Sequence, residues 1–160
     1  MHALIVYFSH SGNTRRIAEL IQNATGGTLF EIEPVLPYPA DYNKVTEKAR
    51  KEIREGFHPP LKNADLPLEL YDTVIIGTPN WWSTIAPPIA SFLTSHDVAG
   101  KKIAPFCTHG GGGGGRIVKD IEKKCPKNSI LTCLEIYGNG GTEAKSQVDM
   151  WLRKIVPCCN

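Results

Sequence analysis

A chain of 160 residues, 41% hydrophobic and 21% charged, has apolar material for one ordinary domain core without disulfide or metal staples. Its formal net charge of +2 is too small to imply a nucleic-acid partner, and no run approaches the ~18 apolar residues of a membrane span. Five cysteines, an odd number with no CxxC pair and no zinc-like His-Cys spacing, point to reduced thiols in a cytoplasmic chain.

The first eight residues lack a basic region before a long apolar stretch, so no signal peptide is expected. Residues 3–8 are a continuous apolar run of strand length, of the kind buried on both faces of a parallel sheet. From Thr14 the spacing changes, with Ile17, Ala18, Ile21 and Ala24 on one helical face until Gly26-Gly27 stop it. Residues 28–33 give a second strand. A link with Pro34, Pro37 and Pro39 leads to a helix marked by Tyr42, Val45, Ala49 and Ile53. The dense charges of residues 44–55 mix signs and read as its solvated face. Residues 57–70 form a polar loop in which Pro59, Pro60 and Pro67 exclude regular structure.

Residues 73–77 are the third strand, and Pro87-Pro88 open a third helix with Ile89, Phe92 and Leu93 inward. Residues 102–107 read as a fourth strand, although Pro105 cannot donate a ladder hydrogen bond. Ile117, Val118 and Ile121 mark a fourth helix that Pro126 terminates, and residues 129–137 are a fifth strand. Thr142 is placed to cap a last helix carrying Ala144, Val148, Trp151, Leu152 and Ile155 on one stripe. Cys107 and Cys133 lie in apolar runs and read as small buried hydrophobes, and the vicinal Cys158 and Cys159 as a frayed end. Five strand–helix repeats predict an α/β domain over residues 1–160, a doubly wound parallel sheet with helices on both faces.

In such folds ligands sit beyond the carboxyl ends of the strands, and three unusual segments each follow a strand. Ser9, His10, Ser11, Gly12, Asn13 and Thr14 place hydroxyls and a flexible glycine before a helix N-terminus. That end suits a phosphate, and GxxxxGK[ST] is absent, so a monophosphate ester fits better than a triphosphate; a plain helix cap is the alternative. Arg15 and Arg16 either add attraction or are solvated. Thr78, Pro79, Asn80, Trp81, Trp82 and Ser83 put two indoles in a surface segment, either stacked on an aromatic ligand or packed down as loop anchors. Cys107, Thr108 and His109 lead into six glycines, Gly110 and Gly111 first. Such a loop can approach a flat ligand closely or simply join strand to helix.

Together these three segments resemble the FMN-contacting loops of flavodoxin-like proteins, in particular a short-chain subgroup with a Trp-Trp loop and a Thr-His-Gly-Gly loop. The resemblance implies a five-stranded sheet in the order 2-1-3-4-5 and one non-covalent FMN. Ser9, Ser11, Gly12, Asn13 and Thr14 would hold its phosphate, residues 78–83 would flank the ribityl chain and ring, and residues 108–111 would border the ring's other edge. The all-glycine run departs from the family's Gly-Gly-Ser-Gly pattern. The function implied is electron transfer through FMN with a redox partner protein. An NAD(P)H-dependent oxidoreductase of the quinone type is the alternative, since the three loops carry no Asp or Glu; a non-redox module for another phosphorylated ligand is a third. No catalytic residue and no metal is assigned, and the chain is expected as a monomer or a homodimer.

Overall fold

The structure, a computed structural model, describes residues 1–62 and 65–156; Cys158 and Cys159 lie outside the described residues. Among the described residues six strands form one sheet: β1 (Ala3–Tyr7), β2 (Thr28–Glu31), β3 (Thr73–Pro79), β4 (Lys102–His109), β5 (Ser129–Ile130) and β6 (Leu134–Tyr137). The order is β2-β1-β3-β4-β5, with β6 also beside β4, and every pairing is parallel. Of the five helices among the described residues, α1 (Asn13–Thr25), α2 (Tyr42–Glu55), α3 (Pro87–Ser95) and α4 (Ile117–Lys124) connect successive strands, and α5 (Ala144–Ile155) follows β6.

Strand alternation divides the core into two layers. Leu4, Val6, Val74, Ile76, Ile103 and Cys107 pack with Val45, Ile89, Phe92, Ile117 and Ile121, which come from α2, α3 and α4. Ala3, Ile5, Tyr7, Ile75, Ala104 and Phe106 face the other way, onto Ile17 and Ile21 of α1 and Val148, Trp151 and Ile155 of α5. At the centre of this second layer a Cβ on Gly77 would lie 2.1 Å from the Phe106 ring, so only glycine admits that ring. Asp41 caps α2 by accepting the Lys44 N–H at 3.0 Å.

Several expected boundaries differ. The fifth strand, read as residues 129–137, is broken into β5 and β6. Ile103 pairs with Ile130 and Phe106 with Leu134, so three residues face two, and the chain bulges at residues 131–133. The carbonyls of Ile103 and His109 both accept from this neighbour, from Leu131 N and Gly138 N. Alternation puts Pro105 on the same side, and its missing donor falls opposite the bulge. That is how a proline sits inside a central strand. β2 stops at Glu31 because Pro34 turns to bridge Leu61, with Lys62 N bonded to Glu33 O and Val35 N to Pro60 O. The loop read as free of regular structure contains a 3-10 turn at Leu68–Leu70. Thr142 does not cap α5; it lies in a 3-10 turn, Gly141–Glu143, that leads into the helix without a side-chain cap.

Candidate functional site

β1, β3, β4 and β6 all end at the carboxyl edge of the sheet, and the segments leaving them surround a cavity of about 580 Å³. Of the residues read from sequence, His10, Ser11, Asn13, Thr14, Pro79, Asn80, Trp81, Trp82, Thr108, His109 and Gly110 line it. Three turns far apart in sequence therefore share one rim.

After β1 the chain makes a tight corner. Gly12 adopts φ +94°, a conformation open to glycine at little cost, and its N–H donates to Ser9 Oγ at 3.1 Å. No side chain caps α1, and the first bond of the helix runs from Arg16 N to Gly12 O. The N–H groups of Asn13, Thr14 and Arg15 thus precede the helical ladder at the positive end of the dipole, with the exposed Ser11 hydroxyl beside them. Thr14 is buried, and its hydroxyl shares a 2.8 Å hydrogen bond with that of Thr108, tying this turn to the one after β4. Neither arginine faces the turn as a free charge. Arg15 forks onto Glu31 at 2.6 and 2.8 Å, which holds its guanidinium protonated well above the usual range, and Arg16 donates to Gly141 O at 2.9 Å.

After β3 the two tryptophans separate into different roles. Trp81 is half-buried and meets Tyr38, Phe8 and His10 edge to face, at 5.0, 5.3 and 5.8 Å between centroids. It anchors the loop. Beneath it Tyr38 donates to the buried Glu52, and burial first, then that hydrogen bond, pushes the phenol pKa far up, so the proton stays on Tyr38. Trp82 is 45% exposed, donates its indole N–H to Thr46 O at 2.9 Å, and carries the Arg50 guanidinium 5.2 Å from its ring centroid. Trp82 and Ser83 are the two centres of a tight turn closed by paired Trp81 and Thr84 backbone bonds of 3.1 Å, and both have positive φ, 53° and 69°. For non-glycine residues that conformation stores of order 1 kcal/mol each.

The turn is clamped from behind. Arg116 N donates to Ser83 O at 2.6 Å, and Thr84 donates its hydroxyl to Asp120 on α4. A Cβ on Gly115 would lie 2.7 Å from Ser83 O, and one on Gly114 2.5 Å from Glu135 Oε1. The later glycines of the run serve this loop-to-loop packing, and Gly110 faces the cavity. Asn80 donates to Gly113 O, and the Gly111 N–H reaches His109 Nδ1 at 3.0 Å.

Thr78 and Cys107, both in the sequence-read set, do not line the cavity. Thr78 is buried, accepting from Ala86 N at 3.0 Å and donating to Pro79 O at 2.9 Å. Cys107 belongs to the α2–α3–α4 core layer beside Cys133, whose thiol is pushed up first by the Cys107 hydrogen bond and then by burial. Ser9, Gly12, Ser83 and Gly111 shape the turns rather than the wall. Sequence reading missed Tyr42, Val45, Thr46 and Ala49 of α2 and Tyr137-Gly138 after β6, all of which line the cavity. Tyr42 and Tyr137 are 79% and 70% exposed, and Tyr137 meets His109 edge to face at 5.9 Å. Among the described residues no three His, Cys, Asp or Glu are grouped to hold a metal ion, and no helix is long and apolar enough to cross a membrane.

Comparison with known proteins gives a consistent picture. A family model described as flavodoxin matches residues 2–155. No curated protein matches. Among solved structures, a protein described as a flavoprotein from Bacteroides eggerthii DSM 20697 is 31% identical, covering 97% of this chain and 98% of that one with a TM-score of 0.83. Another so described, from Bacteroides uniformis ATCC 8492, is 30% identical over 92% and 97%, also with a TM-score of 0.83. A flavoprotein in complex with FMN from Lactobacillus acidophilus NCFM has the same fold, at 24% identity over 94% and 97% with a TM-score of 0.76.

Proposed function

The chain belongs to the flavodoxin family, and from that premise we propose that it holds one FMN non-covalently at the carboxyl edge of its sheet and passes electrons through it. The observation that carries this reading is the sharing of one cavity by two unlike surfaces: the helix end after β1, with unladdered N–H groups and an exposed hydroxyl, and the aromatic wall after β3. A phosphate suits the first and a flat ring the second. The cavity volume lies within the range of small-molecule sites, roughly 300–1,000 Å³.

In this reading Ser11 and the N–H groups of residues 13–15 receive the phosphate, and Gly12 and Ser9 hold the corner in shape. Thr14 and Thr108, bonded to each other, fix the distance between the phosphate turn and the ring turn. Trp82, Pro79 and Asn80 flank the ring, and Thr108, His109, Gly110 and Gly111 border its other edge. Trp81 positions the loop by packing. Thr78 and Cys107 act through the fold. Bound FMN supplies a centre that takes up electrons singly or in pairs.

The reading extends to a redox partner protein in the cytoplasm. One observation favours NAD(P)H as the electron source instead: Tyr42, Trp82 and Tyr137 are exposed and all line the cavity, and such rings suit stacking by a second flat ring. The first experiment is the visible spectrum of the purified protein and the identity of the chromophore released by heat. A yellow protein releasing FMN is expected. A colourless protein whose tryptophan fluorescence ignores added FMN would replace this reading with a site for another phosphorylated ligand. Anaerobic photoreduction in two one-electron stages supports the carrier; rapid bleaching by NADH or NADPH supports the reductase.

A further inference from the structure

The whole-chain charge conceals an asymmetry. Residues 42–55 and 116–127 hold ten of the chain's 18 Lys and Arg but five of its 16 Asp and Glu. These segments are α2, and α4 with the turn that follows it. They are positive by five, and the rest of the chain is negative by three. Both helices lie on the same side of the sheet, flanking the short α3.

Between them runs a groove of about 320 Å³. One wall is apolar, with Ile53, Phe57, Ile85 and Pro87, and Phe57 is 48% exposed. The other carries Arg116, Lys123 and Lys124. Its acids are engaged. Asp120 lies 3.8 Å from both Arg116 and Lys123 and accepts from Thr84, while Glu52 is buried against Tyr38. The outward surface is therefore cationic with an apolar slot.

The same two helices support the turn at the cavity mouth. Thr46 and Arg50 of α2 hold Trp82, and Arg116 and Asp120 bind Ser83 and Thr84. A body resting on this face meets the elements that brace the turn at the cavity mouth.

We infer that the α2–α4 face docks an acidic redox protein, whose carboxylates meet the Lys and Arg of the two helices and whose apolar side chain enters the groove beside Phe57. Opposite charge would steer the encounter, and the buried apolar contact would hold it. A nucleic acid fits less well, because a phosphate backbone would leave the apolar wall bare. The inference uses the flavoprotein reading for the electron that crosses, from a reduced iron–sulfur centre to the flavin; the docking face does not depend on it.

Calorimetric titration of the chain as purified with an acidic [2Fe–2S] ferredoxin tests this. Binding is expected that weakens about tenfold or more between low and high salt (~0.02 to ~0.5 M), as surface charge pairs are screened. Arg54→Glu combined with Lys123→Glu should weaken it about tenfold, and Phe57→Ala should weaken it with the salt dependence unchanged. Lys102→Glu with Lys154→Glu, at the start of β4 and on α5, should leave it unchanged. Equal loss in both charge pairs, no binding, or equal binding of basic cytochrome c would overturn the proposal, and equal binding of an oligonucleotide would make the face a general polyanion site. A colourless chain that binds ferredoxin in this way would remove the flavoprotein reading and leave the face standing. A yellow chain that does not would do the reverse.

Discussion

The two edges of the sheet use their polar groups in opposite ways. At the amino edge, side chains close loops onto one another. Asn128 donates to both Val98 O and Lys101 O, Lys101 Nζ donates to Tyr71 O at 2.8 Å, and Asp72 accepts from His2 N at 3.1 Å and from Thr73 Oγ1 at 2.6 Å. At the carboxyl edge a helix end is left with unladdered N–H groups, a serine hydroxyl is exposed, and two non-glycine residues sit at positive φ. Identical strands thus end in a sealed rim on one side and a receptive one on the other. Stability and ligand affinity should therefore be separable by edge.

Trp81→Ala should have the largest effect, because it crosses that separation. Loss of the contacts with Phe8 and Tyr38 should reduce stability by about 3 kcal/mol and weaken FMN as well. Denaturant titration and FMN titration check both, and stability unchanged would show that Trp81 is no anchor. Asn128→Ala strands two carbonyls and should cost about 2 kcal/mol of stability with FMN affinity intact; a matching loss of FMN would break the comparison. Ser11→Ala is its mirror image. It should weaken FMN by about 1–3 kcal/mol, leaving riboflavin affinity and melting temperature alone. Equal losses for FMN and riboflavin would mean the hydroxyl does not meet the phosphate.

Two smaller effects sharpen the contrast. Ser83→Gly should relieve the left-handed strain and add up to about 1 kcal/mol, seen as a small rise in melting temperature, because the turn's bond to Arg116 uses backbone atoms. At the other edge, the Thr73 hydroxyl first and the His2 N–H second lower the Asp72 pKa. A depressed carboxyl stabilises the fold above its unfolded-state pKa, and that contribution is lost as pH falls through its folded value. Asp72→Asn should lower stability at neutral pH, where that contribution is fully present, and flatten the acid limb of the profile below about pH 4. An acid limb as steep in the variant as in the wild type would contradict the assignment.

How much of this was legible in the sequence follows from range. Apolar runs alternating with helical spacing gave the order of elements and the three turns on one rim, because both depend on local pattern and one topological rule. The split of the last strand was hidden, since it answers to Pro105 on a neighbouring strand. The roles of Trp81 and Trp82 were hidden for the same reason; they are set by Phe8 and Tyr38 on one side and Thr46 on the other. Thr78 and Cys107 entered the site by resemblance of their segments, while the apolar run around Cys107 already read as core, and both are buried. Strand parity puts Cys107 in the same layer as Ile103, and that signal was available. Val45 and Ala49 read as core by periodicity, and they line the cavity because α2 reaches the sheet's carboxyl edge. Tyr137-Gly138 also follows a strand, so the edge rule applied to it equally.

Backbone amide chemical shifts, recorded as FMN is titrated into the flavin-free protein, test the central claim most directly. Large changes are expected at Ser11 to Arg15, Asn80 to Trp82 and Thr108 to Gly111, with riboflavin reproducing all but the first group, and none at Lys101 or Asn128. Changes centred on the amino edge, or absent from the helix end after β1, would contradict it.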